Sequence, residues 1–370
     1  MIIGVLKEKG AERRVSLLPE AVSQLIKRGI AVLVEKDAGA AAFASNEAYA
    51  TAGAQVQPAE AVAAGADVLL SIHHPDITFS KPHVLIGVYQ PLYNQPLMQQ
   101  WAAKGLTTFS LDMLPRTTRA QSMDVLSSQA NIAGYKAVLL AATTYSRYLP
   151  MFMTAAGSIA PAKVLILGAG VAGLQAIATA RRLGAVVEVF DTRPAVREEV
   201  QSLGAKFVEV EGAADASKGG GYAVEQTEAY KKAQEQRIGD SIAKADIVIT
   251  TAQIPGKRAP VLITEPMLDA MRAGAVIIDL AAATGGNTPF TKNNETIVHN
   301  NVTIIGNSNL PATMPSDASK LYGKNVMNFL SLITTKENTV NLNWADDLVK
   351  GSCITHGGEV VHERMKPVPA

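Results

Sequence analysis

Short apolar runs alternate with helix-sized segments along most of the chain. Residues 2–6, 31–35, 68–72 and 84–88 are such runs, of the length expected for buried strands. Between the first two, Pro19 opens a segment over 20–28 with helical spacing and Gly29 closes it. The rhythm returns at 163–190 and continues with apolar runs at 247–251, 276–280 and 302–306. Alternation of this kind predicts an α/β protein of two Rossmann-like domains with parallel sheets, joined by long helices. The expected division is 1–118 plus about 330–370 for the first domain and 149–310 for the second. A long helix over 119–148 connects them, and a helix within 311–330 returns. Short β-like pieces are expected around Gly351 and Gly357-Gly358.

One stretch, 163–193, carries more than a pattern. An apolar run at 164–167 leads into Gly168, Gly170 and Gly173, spaced G-x-G-x-x-G. The first glycine permits a tight turn, the second lets a pyrophosphate approach the backbone, and the third lets helix and strand pack closely. A helix over 171–183 follows, its first N–H groups available to a phosphate. A second apolar run at 186–190 ends at Asp191, where a ribose-binding acid belongs. Strand, glycines, helix, strand and acid in this order predict a dinucleotide site. A carboxylate accepts from a 2′-hydroxyl and repels a 2′-phosphate, so Asp191 favours NAD(H) over NADP(H). Arg193 reads as an adenine-stacking or solvated side chain rather than a phosphate ligand.

The second informative stretch is 115–148. It is rich in alanine and leucine after Pro115 and predicts a helix beginning near Thr118. At helical spacing Gln121, Asp124, Ser127, Ser128 and Asn131 share one face, with Arg116 just before it. Amides, hydroxyls and one carboxylate suit a nicotinamide carboxamide, which needs both donors and acceptors. The alternative is a polar seam between helices. Residues 150–161 read as an apolar hairpin that needs burial, for instance against a partner subunit. Residues 215–222 contain three consecutive glycines and Tyr222, which predicts a mobile loop with an aromatic lid or a plain surface insertion. The loops leaving strands at 250–260 and 285–287 lie where doubly wound sheets bind ligands.

Composition narrows the classes. The 370 residues suit two domains, and a net charge of +1 gives no electrostatic footprint for nucleic acid. Cys353 is the only cysteine, which excludes an internal disulfide. His73 and His74 are adjacent at a strand end and point to opposite faces, and no H-x-x-x-H spacing occurs, so no metal site is expected. No signal-peptide pattern and no membrane-spanning apolar stretch is present, and the chain reads as cytoplasmic.

Arg116 with RAQSMD, LSSQANIAGY, TAAG, GAGVAGLQAIATARRLGA and TAQIPGKRAPVLI together resemble the NAD(H)-binding domain of proton-translocating nicotinamide nucleotide transhydrogenase, in the alanine dehydrogenase/transhydrogenase family. The resemblance runs from ERRVSLLP to SCITHGGEVVH. It implies hydride transfer from NADH to NADP⁺, the latter held on a separate subunit above a membrane-embedded proton channel. It implies a homodimer, located in the cytoplasm and peripheral on the inner face of the cell membrane. It places Arg116, Gln121 and Asp124 beside the nicotinamide as the catalytic trio. The cofactor-binding set it implies is Ser127, Gly168, Gly170, Val171, Gly173, Asp191, Thr192, Arg193, Tyr222 and Gln253. Gln253 stands where leucine is expected and Gln226 where methionine is. The chain reads either as a separate soluble subunit or as a segment of a longer one.

Two other functions compete. An alanine dehydrogenase needs cations for the substrate carboxylate and a proton donor. Arg14 matches that branch's arginine, but His73 and Gln90 stand at its lysine and histidine positions. An NAD-sensing protein without turnover is the other. Hydride transfer between two nicotinamides needs no acid or base, and the polar face supplies none.

Overall fold

The strand-forming runs are apolar at nearly every position because each sheet is covered by helices on both faces. The computed structural model describes residues 1–210 and 227–366. The Gly-rich loop expected at 215–222, with Tyr222, and Gln226 lie outside the described residues. The chain divides into two units, Met1–Gln129 with Pro311–Ala370, and Ala130–Leu310.

In chain order the first unit opens with β1 (Ile2–Val5), α1 (Pro19–Lys27), β2 (Ala31–Glu35), α2 (Asn46–Thr51), β3 (Gln55–Gln57), α3 (Ala59–Gly65), β4 (Val68–Leu70), β5 (Val84–Gly87), α4 (Gln95–Ala103) and β6 (Thr107–Ser110). Helix α5 (Val125–Thr144) leads into the second unit. There follow β7 (Phe152–Thr154), β8 (Gly157–Ile159), β9 (Lys163–Leu167), α6 (Val171–Arg182), β10 (Val186–Phe190), α7 (Arg197–Ser202) and β11 (Lys206–Phe207). After them come α8 (Glu228–Ile242), β12 (Ile247–Thr250), α9 (Glu265–Asp269), β13 (Val276–Asp279), β14 (Thr296–His299) and β15 (Val302–Ile305). The chain then completes the first unit with α10 (Pro315–Leu332), α11 (Asp347–Ser352), β16 (Cys353–His356) and β17 (Glu359–Val360).

The first unit's sheet has the order β17-β16-β6-β5-β4-β1-β2-β3. It is parallel from β6 to β3 and ends in the antiparallel pair β16 and β17. Alternate residues of each strand serve opposite cores. Val32, Val34, Val68, Leu70 and Ile86 join α1 and α10 in one. Leu33, Leu69 and Leu85 join α3 and α4 in the other. Strand β6, sequence TTFS, lacks an apolar run and was not expected. Its Thr108 hydroxyl is buried against that of Thr355 on β16, 2.9 Å away, so a polar residue is satisfied inside the sheet.

The second unit's sheet has the order β11-β10-β9-β12-β13-β15-β14 and is parallel except for β14, an edge strand outside the expected set. Both sheets are therefore parallel with an antiparallel margin, not wholly parallel. Val164, Ile166, Ile247 and Ile249 face one core, Leu165, Leu167, Val248 and Ile277 the other. The order reverses between β9 and β12, which opens a crevice at the carboxyl ends of those strands. β7 and β8 form the expected hairpin, and Met153 on it is 74% exposed.

The long helix begins at Val125, not near Thr118. Residues Thr118–Met123 form a 3₁₀ turn, and Asp124 (ψ 90°) breaks the path into α5. The Asp124 carboxylate accepts the Ser127 N–H at 2.9 Å, so Asp124 acts as the helix N-cap. Gln121 and Asp124 therefore do not share an α-helical stripe with Ser127 and Asn131.

Within the second unit α5 crosses α6 closely, and a Cβ on Gly134 would fall 2.0 Å from the Ala172 carbonyl oxygen. Backbone cannot yield cheaply, so Gly134→Ala should destabilise the protein by about 2 kcal/mol despite alanine's better helix propensity. Chemical denaturation of the pair checks this; equal midpoints would show that the helices separate without cost.

Candidate functional site

At the head of the crevice Gly168 takes φ +107°, a conformation that L side chains avoid. A Cβ there would meet the Thr251 hydroxyl at 2.3 Å. A Cβ on Gly173 would fall 1.9 Å from the Gly168 carbonyl oxygen, which explains the third glycine as a packing requirement. At Gly170, by contrast, a Cβ would find nothing within 4 Å. No side chain caps α6, whose N-cap is Gly170. Open space against uncapped helical N–H groups is a cradle for an anion, and a pyrophosphate fits it. Val171 opens the helix at this point and is 40% exposed.

Asp191, just past β10, closes the turn from the side. Its carboxylate accepts the Ala169 N–H at 2.7 Å and the Arg193 N–H at 2.8 Å. It also accepts Arg193 Nε at 3.0 Å and Nη2 at 2.9 Å. Arg193 is thus paired with the acid and not solvated alone. The hydrogen bond from Asp191 holds its guanidinium above its ordinary pKa. Thr192 lies half-buried between the two. Tyr230 on α8 belongs to the same neighbourhood and was missed in the sequence. It is buried, and burial followed by the Asp191 charge raises its phenol pKa. The only signal was Thr227, whose hydroxyl caps α8 on the Tyr230 N–H at 3.2 Å.

The opposite lip of the crevice is the loop leaving β12. Thr251 Oγ1 donates to the carbonyls of Leu167 and Gly168, each at 3.3 Å. The buried Asn287 side chain pairs with both groups of Ala252, accepting its N–H at 3.2 Å and donating to its carbonyl at 2.9 Å. Asp279 at the end of β13 in turn accepts the Asn287 N–H at 2.6 Å. Gln253 Nε2 donates to the Leu280 carbonyl at 2.8 Å, which gives the glutamine a backbone anchor that leucine lacks. Gly285-Gly286-Asn287 therefore braces the lip.

The remaining expected residues belong to the first unit. Arg116 and Gln121 are exposed and Asp124 half-buried. Ser127 donates its hydroxyl to Asp124 at 2.6 Å, so those two cohere while Arg116 and Gln121 flank them in the turn. The described residues hold no group of three or more His, Cys, Asp or Glu suited to a metal ion, and no helix long and apolar enough to cross a membrane.

Arg14 is engaged elsewhere. Its Nε and Nη2 donate to the two oxygens of buried Glu12 at 2.8 and 2.6 Å, and Nη1 donates to Gln129 at 2.8 Å. His73 Nε2 lies 2.9 Å from the same Glu12. A guanidinium spent on an internal carboxylate is not available to bind an oxo acid.

The family models for the N-terminal and C-terminal domains of alanine dehydrogenase/PNT match residues 4–133 and 137–363. The chain belongs to the alanine dehydrogenase/PNT family. It is 43% identical to the first of the alpha-subunit chains of the NAD(P) transhydrogenase of Rhodospirillum rubrum, over 99% of each chain. Among solved structures, transhydrogenase from Sinorhizobium meliloti matches with a TM-score of 0.89 and 44% identity, over 98% of this chain and 100% of that one. An L-alanine dehydrogenase matches with a TM-score of 0.82 and 25% identity, over 99% and 98%. Within the family, the transhydrogenase relatives are nearer to this chain than the alanine dehydrogenase.

Burial alone would push the Glu12 carboxyl up, but hydrogen bonds from Arg14 and His73 and the Arg14 charge hold it well below the usual range. A depressed carboxyl contributes stability above its unfolded pKa of about 4.3 and loses it as the pH falls toward the folded value. Glu12→Gln should therefore cost about 3 kcal/mol at pH 7, because it leaves Arg14 buried with its countercharge gone. The gap in melting temperature should narrow below about pH 4. A gap independent of pH would show that the charge on Glu12 is not what the fold uses.

Proposed function

We propose that this chain is the NAD(H)-binding component of a proton-translocating NAD(P) transhydrogenase. Hydride passes directly from its NADH to NADP⁺ held on a partner subunit. The observation that carries the reading is the cradle at Gly170, with its uncapped helix and adjacent Asp191, in a chain so close to a transhydrogenase alpha subunit. Gly168, Gly170, Val171 and Gly173 hold the pyrophosphate. Asp191, with Thr192 and Arg193 beside it, takes the adenosine ribose, and Gln253 lies on the opposite lip. Arg116, Gln121, Asp124 and Ser127 serve the nicotinamide half, and Tyr222 closes over the nucleotide.

Bound NADH supplies a hydride with its two electrons, so NADH is oxidised as NADP⁺ is reduced. The chain's residues need not move a proton. They orient the dihydronicotinamide by hydrogen bonds and exclude water from the pair of rings. Amides, hydroxyls and one carboxylate do this without a competing acid. The exposed Tyr148, Met151, Phe152 and Met153 support a homodimer, since the hairpin leaves them without cover inside the chain. Partner subunits bring the protein to the inner face of the membrane, one of them membrane-embedded and one carrying NADP(H).

Stopped-flow mixing of the NADH-loaded protein with the NADP⁺-loaded soluble domain of the partner subunit tests this. A fast absorbance burst that requires the partner is expected, with an acetylpyridine analogue of NAD giving a distinguishable product. No burst, with NADH oxidised on adding pyruvate and ammonium, would instead make the protein an amino-acid dehydrogenase. Asp191→Arg should weaken NADH binding at least about tenfold, since a cation cannot accept from the ribose diol. Unchanged affinity would remove Asp191 from the ribose. Gln121→Asn should slow the burst far more than it weakens NADH binding; equal losses would make Gln121 a plain binding residue.

A further inference from the structure

The 3₁₀ turn Thr118–Met123 is longer than such turns usually are, so something must hold it. Ala120 and Met123 anchor its inner side in the core of the first unit. Arg119 pairs with Asp346 and, at 2.9 Å, with Asp347. The third restraint falls between Gln121 and Asp124. The Ser122 carbonyl would accept from residue 126 in a continuous α-helix. It accepts instead from two side-chain amides, Asn325 Nδ2 and Asn328 Nδ2, each at 2.8 Å. The two asparagines stand one turn apart on α10 and grip the same oxygen from one face.

Asn325 bears a cost for this. It is buried, and its Oδ1 finds no hydrogen-bond partner among the described residues. Leucine has the same shape and would leave no buried acceptor unsatisfied, so stability alone favours leucine there. The amide is useful for what it holds.

We propose that Asn325 and Asn328 are positioning residues that fix the turn carrying Gln121 and Asp124. On the hydride-transfer reading, which this rests on, the clamp sets the rate of transfer and not the affinity for NADH. Neither asparagine touches the nucleotide; both act through the Ser122 carbonyl.

The test compares Asn328→Ala, Asn325→Leu and the double variant with the wild type. Burst rates come from the NADP⁺-loaded partner, NADH affinity from fluorescence titration, and folding from thermal melts. Asn328 is exposed, so its variant reports on the clamp without emptying a core position. Each variant should slow the burst roughly tenfold, the double more, with NADH affinity within about twofold of wild type, as expected for misplacement of a reacting pair. A purely structural role would lower affinity and rate together, and that result overturns the proposal. So does a wild-type burst rate in folded Asn328→Ala and double variants, while a wild-type burst leaves the transhydrogenase reading standing. A wild-type protein that shows no burst at all overturns both.

Discussion

In both units the second peptide N–H beyond the first strand donates to a carboxylate at the end of the second strand. Lys7 N–H meets Glu35 at 2.8 Å, and Ala169 N–H meets Asp191 at 2.7 Å. The donor sits where a parallel sheet opens at its switch point and no further strand can pair with it. An acid from the neighbouring strand satisfies it and sets where the next residues go. What differs is the residue that follows. In the first unit it is Glu8, whose carboxylate accepts the N–H groups of Ile72 at 2.5 Å and His73 at 3.1 Å. Burial raises its pKa beyond what those bonds lower it. In the second unit it is Gly170, with open space and an uncapped helix beyond. One unit fills the anion position with its own carboxylate, and the other keeps it clear.

That contrast explains why the fold and half of the site were legible in the sequence. Gly168 and Gly173 are required by close approaches and Gly170 by an open cradle, and a motif records such requirements directly. The strands with apolar residues on both faces announce themselves by unbroken runs. Strand β6 does not, because its buried Thr108 is satisfied by a threonine across the sheet. That partner, Thr355, is 247 residues away, and no local window contains both. Tyr230 and the brace from Asn287 were illegible for the same reason, since each depends on an element brought alongside by the sheet.

The stretch 118–124 shows a local signal giving the wrong local structure. Its composition is helical and its spacing suits one polar stripe. Two features outside that pattern decide the outcome. Asp124 is a better cap than interior residue, and the Ser122 carbonyl finds stronger donors on α10 than in its own helix. Propensity loses to tertiary hydrogen bonds, as it commonly does over a few residues. The result suits the proposed chemistry better than a helix would. Successive side chains leave a 3₁₀ turn in three directions, and the break at Asp124 turns the chain again, so Gln121 and Asp124 do not stack along one helical face.

The same logic separates the two chemistries that this family's fold is associated with. Oxo-acid reduction needs an unspent cation and a proton donor, and in this chain Arg14 is bound to Glu12, with His73 on the same carboxylate. Releasing Arg14 would strand Glu12 in a buried site, so the guanidinium cannot be lent to a ligand cheaply. Hydride transfer between two nicotinamides asks only that the rings be held face to face and dry. Its rate then rests on how rigidly the backbone presents a few amides and hydroxyls. A turn pinned at both sides and by one shared carbonyl is the kind of support that such a reaction needs.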